Sequence, residues 1–141
     1  MILTMQILWL AFCSTMGAIT FMCFQLHGAF LTVQIPRPEL YVFGVMALAA
    51  FVMSFMLPHL LLRLTRKQRQ GLSPDAQLRA YFVPFILRIA LLESVVLMGF
   101  LLSMISRENR VLPFAITAFL GLVFIFPTQD RVASITDVRF E

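Results

Sequence analysis

Residues 81–106 read YFVPFILRIALLESVVLMGFLLSMIS, a long apolar run whose only charges are Arg88 and Glu93. Wound as an α-helix at a rise of ~1.5 Å per residue, such a run exceeds the ~30 Å of hydrocarbon in a bilayer. A carboxylate placed near its middle costs at least about 2.5–3.5 kcal/mol on insertion scales, so such a group turns toward a protein interior, a partner or a water-filled path. Glu93 is therefore the first candidate functional residue.

The rest of the chain reads the same way. Of its 141 residues 60% are hydrophobic and 13% charged, and the mean hydropathy is +0.91. A soluble domain of this size could not bury so much apolar surface. Four segments are long and apolar enough to be read as spans: 7–33, 40–62, 82–105 and 111–126. Each is continuous rather than alternating apolar with polar, which favours helices over the strands of a membrane barrel. The first lies in a charge-free stretch, residues 1–36. It lacks a basic leader, is longer than the apolar core of a signal peptide and has no clear A-x-A site, so it is read as retained. The expectation is an all-α integral membrane protein of one domain, with four transmembrane helices in two hairpins.

Connections support that pairing. Ile35-Pro36-Arg37-Pro38-Glu39 is a turn whose prolines cannot continue a helix, and Ser106-Arg107-Glu108-Asn109-Arg110 is a compact polar turn followed by Pro113. Between the hairpins lies the loop 63–79, which carries Arg63, Arg66, Lys67, Arg69 and Arg79 against the single acid Asp75. Lys and Arg in short loops mark the cytoplasmic side, so this loop and both termini are expected there, in a bacterial inner membrane. The tail 129–141 is nearly neutral. The net charge of +4 comes mostly from the loop, so it points to anionic lipid headgroups, touched by Arg63, Arg66, Lys67 and Arg69, and not to nucleic acid.

The hairpins share a faint echo at an offset of 69 residues: Phe55-Met56-Leu57-Pro58 with Phe124-Ile125-Phe126-Pro127, Glu39 with Glu108, and Val42 with Val111. Such matches suggest a tandem duplication, although apolar identities also arise whenever two membrane helices are aligned.

Among the polar residues, Arg88 and Glu93 are five apart, about 140° around a helix, so they are not the neighbours that a spacing of three or four would make. The long stem of Arg88 can snorkel toward headgroups. Glu93 shares its face with Ile86, Ile89, Ala90, Val96, Leu97 and Phe100, so a charged form finds no partner within its own helix. Two readings stand: an acid that hydrogen-bonds a neighbouring span or subunit, and a carrier of a proton or cation. Gln25 and His27 near the end of the first span either sit among headgroups or, through a titrating imidazole, relay protons. Two separated histidines, with Cys13 and Cys23 ten residues apart, give no metal-ligand spacing. Neither a phosphate-cradling glycine loop, a nucleophile elbow nor H-E-x-x-H is present, so neither a cofactor nor enzymatic activity is expected. Small residues four apart, Ser14 with Ala18, Ala50 with Ser54 and Thr117 with Gly121, are candidate points of close helix contact.

The segment from Ala90 to Ser103, ALLESVVLMGFLLS, resembles the ion-carrying helix of rotary ATPase proteolipid (c-type) subunits. In that family a membrane carboxylate is followed by a small residue and, six positions on, by glycine; Glu93, Ser94 and Gly99 match those positions. The resemblance implies that Glu93 binds a proton or sodium ion, with Ser94 beside it, and that copies of the chain form a ring.

The functional expectation is a small noncatalytic subunit of a larger membrane assembly, with Glu93 as its assembly or functional residue and other membrane subunits or copies of itself as partners. The alternatives are a proteolipid-like oligomer translocating protons or sodium through Glu93 and, third, a transporter of small molecules or lipids.

Overall fold

The computed structural model describes residues 1–27, 38–65, 71–128 and 132, the side chains of His27 and Pro74 apart. The described chain is all-helical: α1 (Ile2–His27), α2 (Pro38–Leu64), α3 (Pro74–Ser106) and α4 (Val111–Phe124). Three of these helices, α1 to α3, are long and apolar enough to cross a membrane. The fourth has 14 residues; at ~1.5 Å per residue it is about 20 Å long, short of a full hydrocarbon core. The span expected at 111–126 is thus shorter than drawn, because the chain leaves the helix at Ile125, ahead of Pro127.

α3 begins earlier than expected. Its start carries three reinforcing signals: Ser73 as N-cap, accepting a bond from the Ala76 amide at 3.4 Å, Pro74 in the first turn, and Asp75 near the positive end of the helix dipole. The basic loop is therefore shorter than 63–79, with Asp75 and Arg79 already on α3 and Arg63 still on α2. Residues 28–37, 66–70, 129–131 and 133–141 lie outside the described residues, including Arg66, Lys67, Arg69, the 35–37 part of the first turn and most of the tail.

α3 is the hub, packing on α1, α2 and α4. The short connection joining α1 to α2 had implied a hairpin, yet each of these helices makes its main contacts with α3. A short turn fixes sequence neighbours but not which apolar faces meet. Here the buried stripe of α1, Met5, Met16 and Cys23, and that of α2, Ala47, Ser54, Pro58 and Leu62, both meet the core built on Phe85, Ile89, Leu92 and Val96 of α3.

Two glycines set the α3–α4 register. A Cβ on Gly99 would lie 2.8 Å from Phe114 Cβ, and one on Gly121 would lie 2.7 Å from Leu92 Cδ2 and 3.1 Å from Phe51 Cε2. The two helices are thus antiparallel, with Phe114 level with Gly99 and Gly121 level with Leu92, beside Phe51 of α2. By that register α4 ends level with Ile89. α3 continues back to Pro74, about 20 Å farther, so the α2–α3 hairpin projects past the end of α4. The proline echo dissolves in three dimensions: Pro58 is buried inside α2, whereas Pro127 lies beyond the end of α4.

Candidate functional site

Glu93 lies at the middle of the apolar stretch of α3. Val83, Ala90, Leu97 and Leu101 form the exposed stripe of this helix, while Ile89, Leu92 and Val96 are fully covered. Three residues from Ala90 and four from Leu97, Glu93 stands at the border of that stripe, half-buried. Among the described residues its carboxyl makes no hydrogen bond or ion pair.

Arg88 is half-buried on a different face, and its Nε is buried with no hydrogen-bond partner among the described residues. It does not reach Glu93. The hydroxyl of Ser94, the small residue of the proteolipid-like motif, donates to the Leu91 carbonyl at 2.7 Å, and the motif glycine, Gly99, is filled by Phe114 of α4. Gln25 is exposed near the end of α1, and His27 closes that helix with its side chain outside the described residues. Arg63 is exposed in the last turn of α2. Cys13 and Cys23 are free thiols, and among the described residues no three His, Cys, Asp or Glu side chains gather in a way that could hold a metal.

The structure brings together polar groups that the sequence reading passed over. Trp9 Nε1 donates to the Leu122 carbonyl at 3.0 Å, Gln6 Nε2 donates to the Pro127 carbonyl at 3.3 Å, and the Trp9 ring meets Phe126 edge-on with centroids 4.9 Å apart. A helix leaves its last four carbonyls without intrahelical partners, and in hydrocarbon each such group costs several kcal/mol. At the end of α4 the Leu122 carbonyl accepts both the Ile125 amide, at 3.2 Å, and the Trp9 indole, and past the helix the Pro127 carbonyl accepts Gln6. At the other end of α4, the buried Ser103 hydroxyl donates to the Gly99 carbonyl at 2.8 Å and accepts the Arg110 amide at 2.9 Å, tying the turn between α3 and α4 to α3. The sequence carries no signal for the first of these, since a Trp and a Gln near the start of a span read as interfacial residues.

Comparison of the chain with protein-family models, curated proteins and solved structures found no match.

Proposed function

We propose that this chain is a noncatalytic subunit of a membrane assembly and that Glu93 makes its polar contact with a partner chain or a second copy. One observation carries the reading: a carboxyl at mid-span, on the border of an exposed stripe, with no partner among the described residues. Leaving it against lipid costs at least about 2.5–3.5 kcal/mol, and a donor on a neighbouring helix would offset that cost. The outer helices add support. Only 11% of the apolar stretch of α1 and of α2 is buried, against 39% of that of α3, which leaves wide faces for lipid or other helices.

Replacing Glu93 tests the assignment. Gln has nearly the same shape and can still hydrogen-bond, whereas Leu cannot; Glu93→Gln is expected to keep the assembly and Glu93→Leu to dissociate it, as read by native mass spectrometry in mild detergent. Full assembly of the Leu variant, or a solitary monomer for the unaltered chain, would refute the proposal. The carrier reading predicts a different split. If Glu93→Gln assembles but proton or sodium flux through the complex vanishes, Glu93 carries the ion, because Gln holds no exchangeable acid proton.

The orientation we propose puts the basic end in the cytoplasm. α1 runs parallel to α3, since Trp9 adjoins the end of α4 and Cys23 adjoins Ser103, so the start of α1 faces the same side as the α2–α3 connection. Five basic residues stand at 63–79 against Arg37 and the pair Arg107 and Arg110 at the other end. A cysteine introduced at Lys67 is expected to react with an impermeant maleimide only in inverted vesicles. Labelling in intact cells would reverse the topology.

A further inference from the structure

A groove of about 230 Å³ runs between α2 and α4, floored by Val95 of α3 and walled by Gly44, Ala47 and Phe51 on one side and Phe114 and Thr117 on the other. It exists because α2 and α4 each pack on α3 and touch one another only slightly, and because Gly44 presents no side chain: a Cβ there would meet nothing within 4 Å. The lining is carbon except for the Thr117 hydroxyl, which already donates to the Pro113 carbonyl at 2.8 Å. A polar occupant would be left unsatisfied. A transmembrane helix, about 10–12 Å across with its side chains, fits into this volume only by single side chains. A single hydrocarbon chain is not too wide for it.

One helical turn from Gly44 and from Pro113, toward the α3–α4 turn, a smaller cleft is lined by Leu40, Ser106, Glu39 and Arg110. The two charged groups are opposite in sign and are not paired with each other. Arg110 gives Nε, at 3.0 Å, and Nη2 to the Glu108 carboxylate, so Nη1 stays outside that pair; Glu39 is exposed and makes no ion pair among the described residues. A guanidinium and a carboxylate one helical turn beyond a carbon-lined groove on the same side of α3 match, in order, the phosphate, ammonium and acyl chain of one amphiphile.

We infer that the α2–α4 groove holds an acyl chain of a zwitterionic phospholipid, with its phosphate against Arg110 and its ammonium against Glu39. The site depends on the chain lying in a bilayer and is independent of what Glu93 does. The test is photocapture in nanodiscs of equimolar phosphatidylethanolamine and phosphatidylglycerol with identical chains, either lipid carrying a diazirine in its tail. Adducts are expected on residues 44–51 and 113–117, several-fold more from phosphatidylethanolamine. Glu39→Gln should lower that preference roughly fivefold, the scale of a partly exposed ion pair. Gly44→Leu, which fills space that is empty, should abolish capture there with the helices intact by circular dichroism. Equal capture of both lipids in the groove, adducts spread evenly over α1 and α2, or crosslinks to a second copy at Gly44 would each overturn the assignment. Should Gly44→Leu fail to fold, Glu39→Gln decides alone: an unchanged lipid preference ends the proposal.

Discussion

Gly99→Ala is expected to destabilise the protein by about 1–3 kcal/mol, the range for overpacking a filled interior. The added methyl would sit 2.8 Å from Phe114 Cβ and 2.9 Å from Phe114 Cγ, atoms held close to the backbone of α4 that cannot swing aside. Relief requires α3 and α4 to separate along the contact that positions the short helix. Gly121→Ala is the control. Its methyl would meet Leu92 Cδ2 and Phe51 Cε2, the far ends of side chains that can rotate, so its cost is expected to be under about 1 kcal/mol. Unfolding in mixed micelles, followed by denaturant titration of both variants, measures the difference. Equal costs would mean that the α3–α4 approach at Gly99 is looser than the geometry implies.

Trp9→Ala is expected to cost about 3 kcal/mol, near the lower end for removing a large packed aromatic, because Trp9 is only partly buried. The loss combines the indole bond to the Leu122 carbonyl with the edge-on contact to Phe126. Trp9→Phe keeps a ring against Phe126 and removes only the donor, for about 1 kcal/mol. Hydrogen exchange locates the damage: amides in the last turn of α4 should lose protection in both variants, and the α2–α3 contact should keep its own. Protection lost evenly along the chain would show that Trp9 serves general packing and does not close α4.

The helices and their approximate places were legible in the sequence because a continuous apolar run has one dominant solution in hydrocarbon. Their ends were less so. The start of α3 was written in Ser73, Pro74 and Asp75, but a loop defined by its Arg and Lys content hid it. The end of α4 was not legible: residues 124–126 are as apolar as those before them, and the donors of Gln6 and Trp9 that join the local backbone bonds there lie over a hundred positions away. Packing order escaped for a similar reason, since short turns report sequence adjacency while α3 presents faces to three neighbours. For Glu93 the apolar neighbours on its own helix were legible, but not its position at the edge of an exposed stripe. That position follows from which side of α3 its neighbours leave uncovered.

The bonds from Gln6 to Pro127 and from Trp9 to Leu122 join residues 121 and 113 positions apart. A chain made from its N-terminus has α1 long before α4 exists, and α4 alone is too short to cross and too open at its end to be comfortable in hydrocarbon. Partition from water therefore does not suffice to settle α4. It docks on helices made before it, on α3 through Gly99 and Phe114 and on α1 through Gln6 and Trp9, so two distant stretches of the chain share the placing of one short helix.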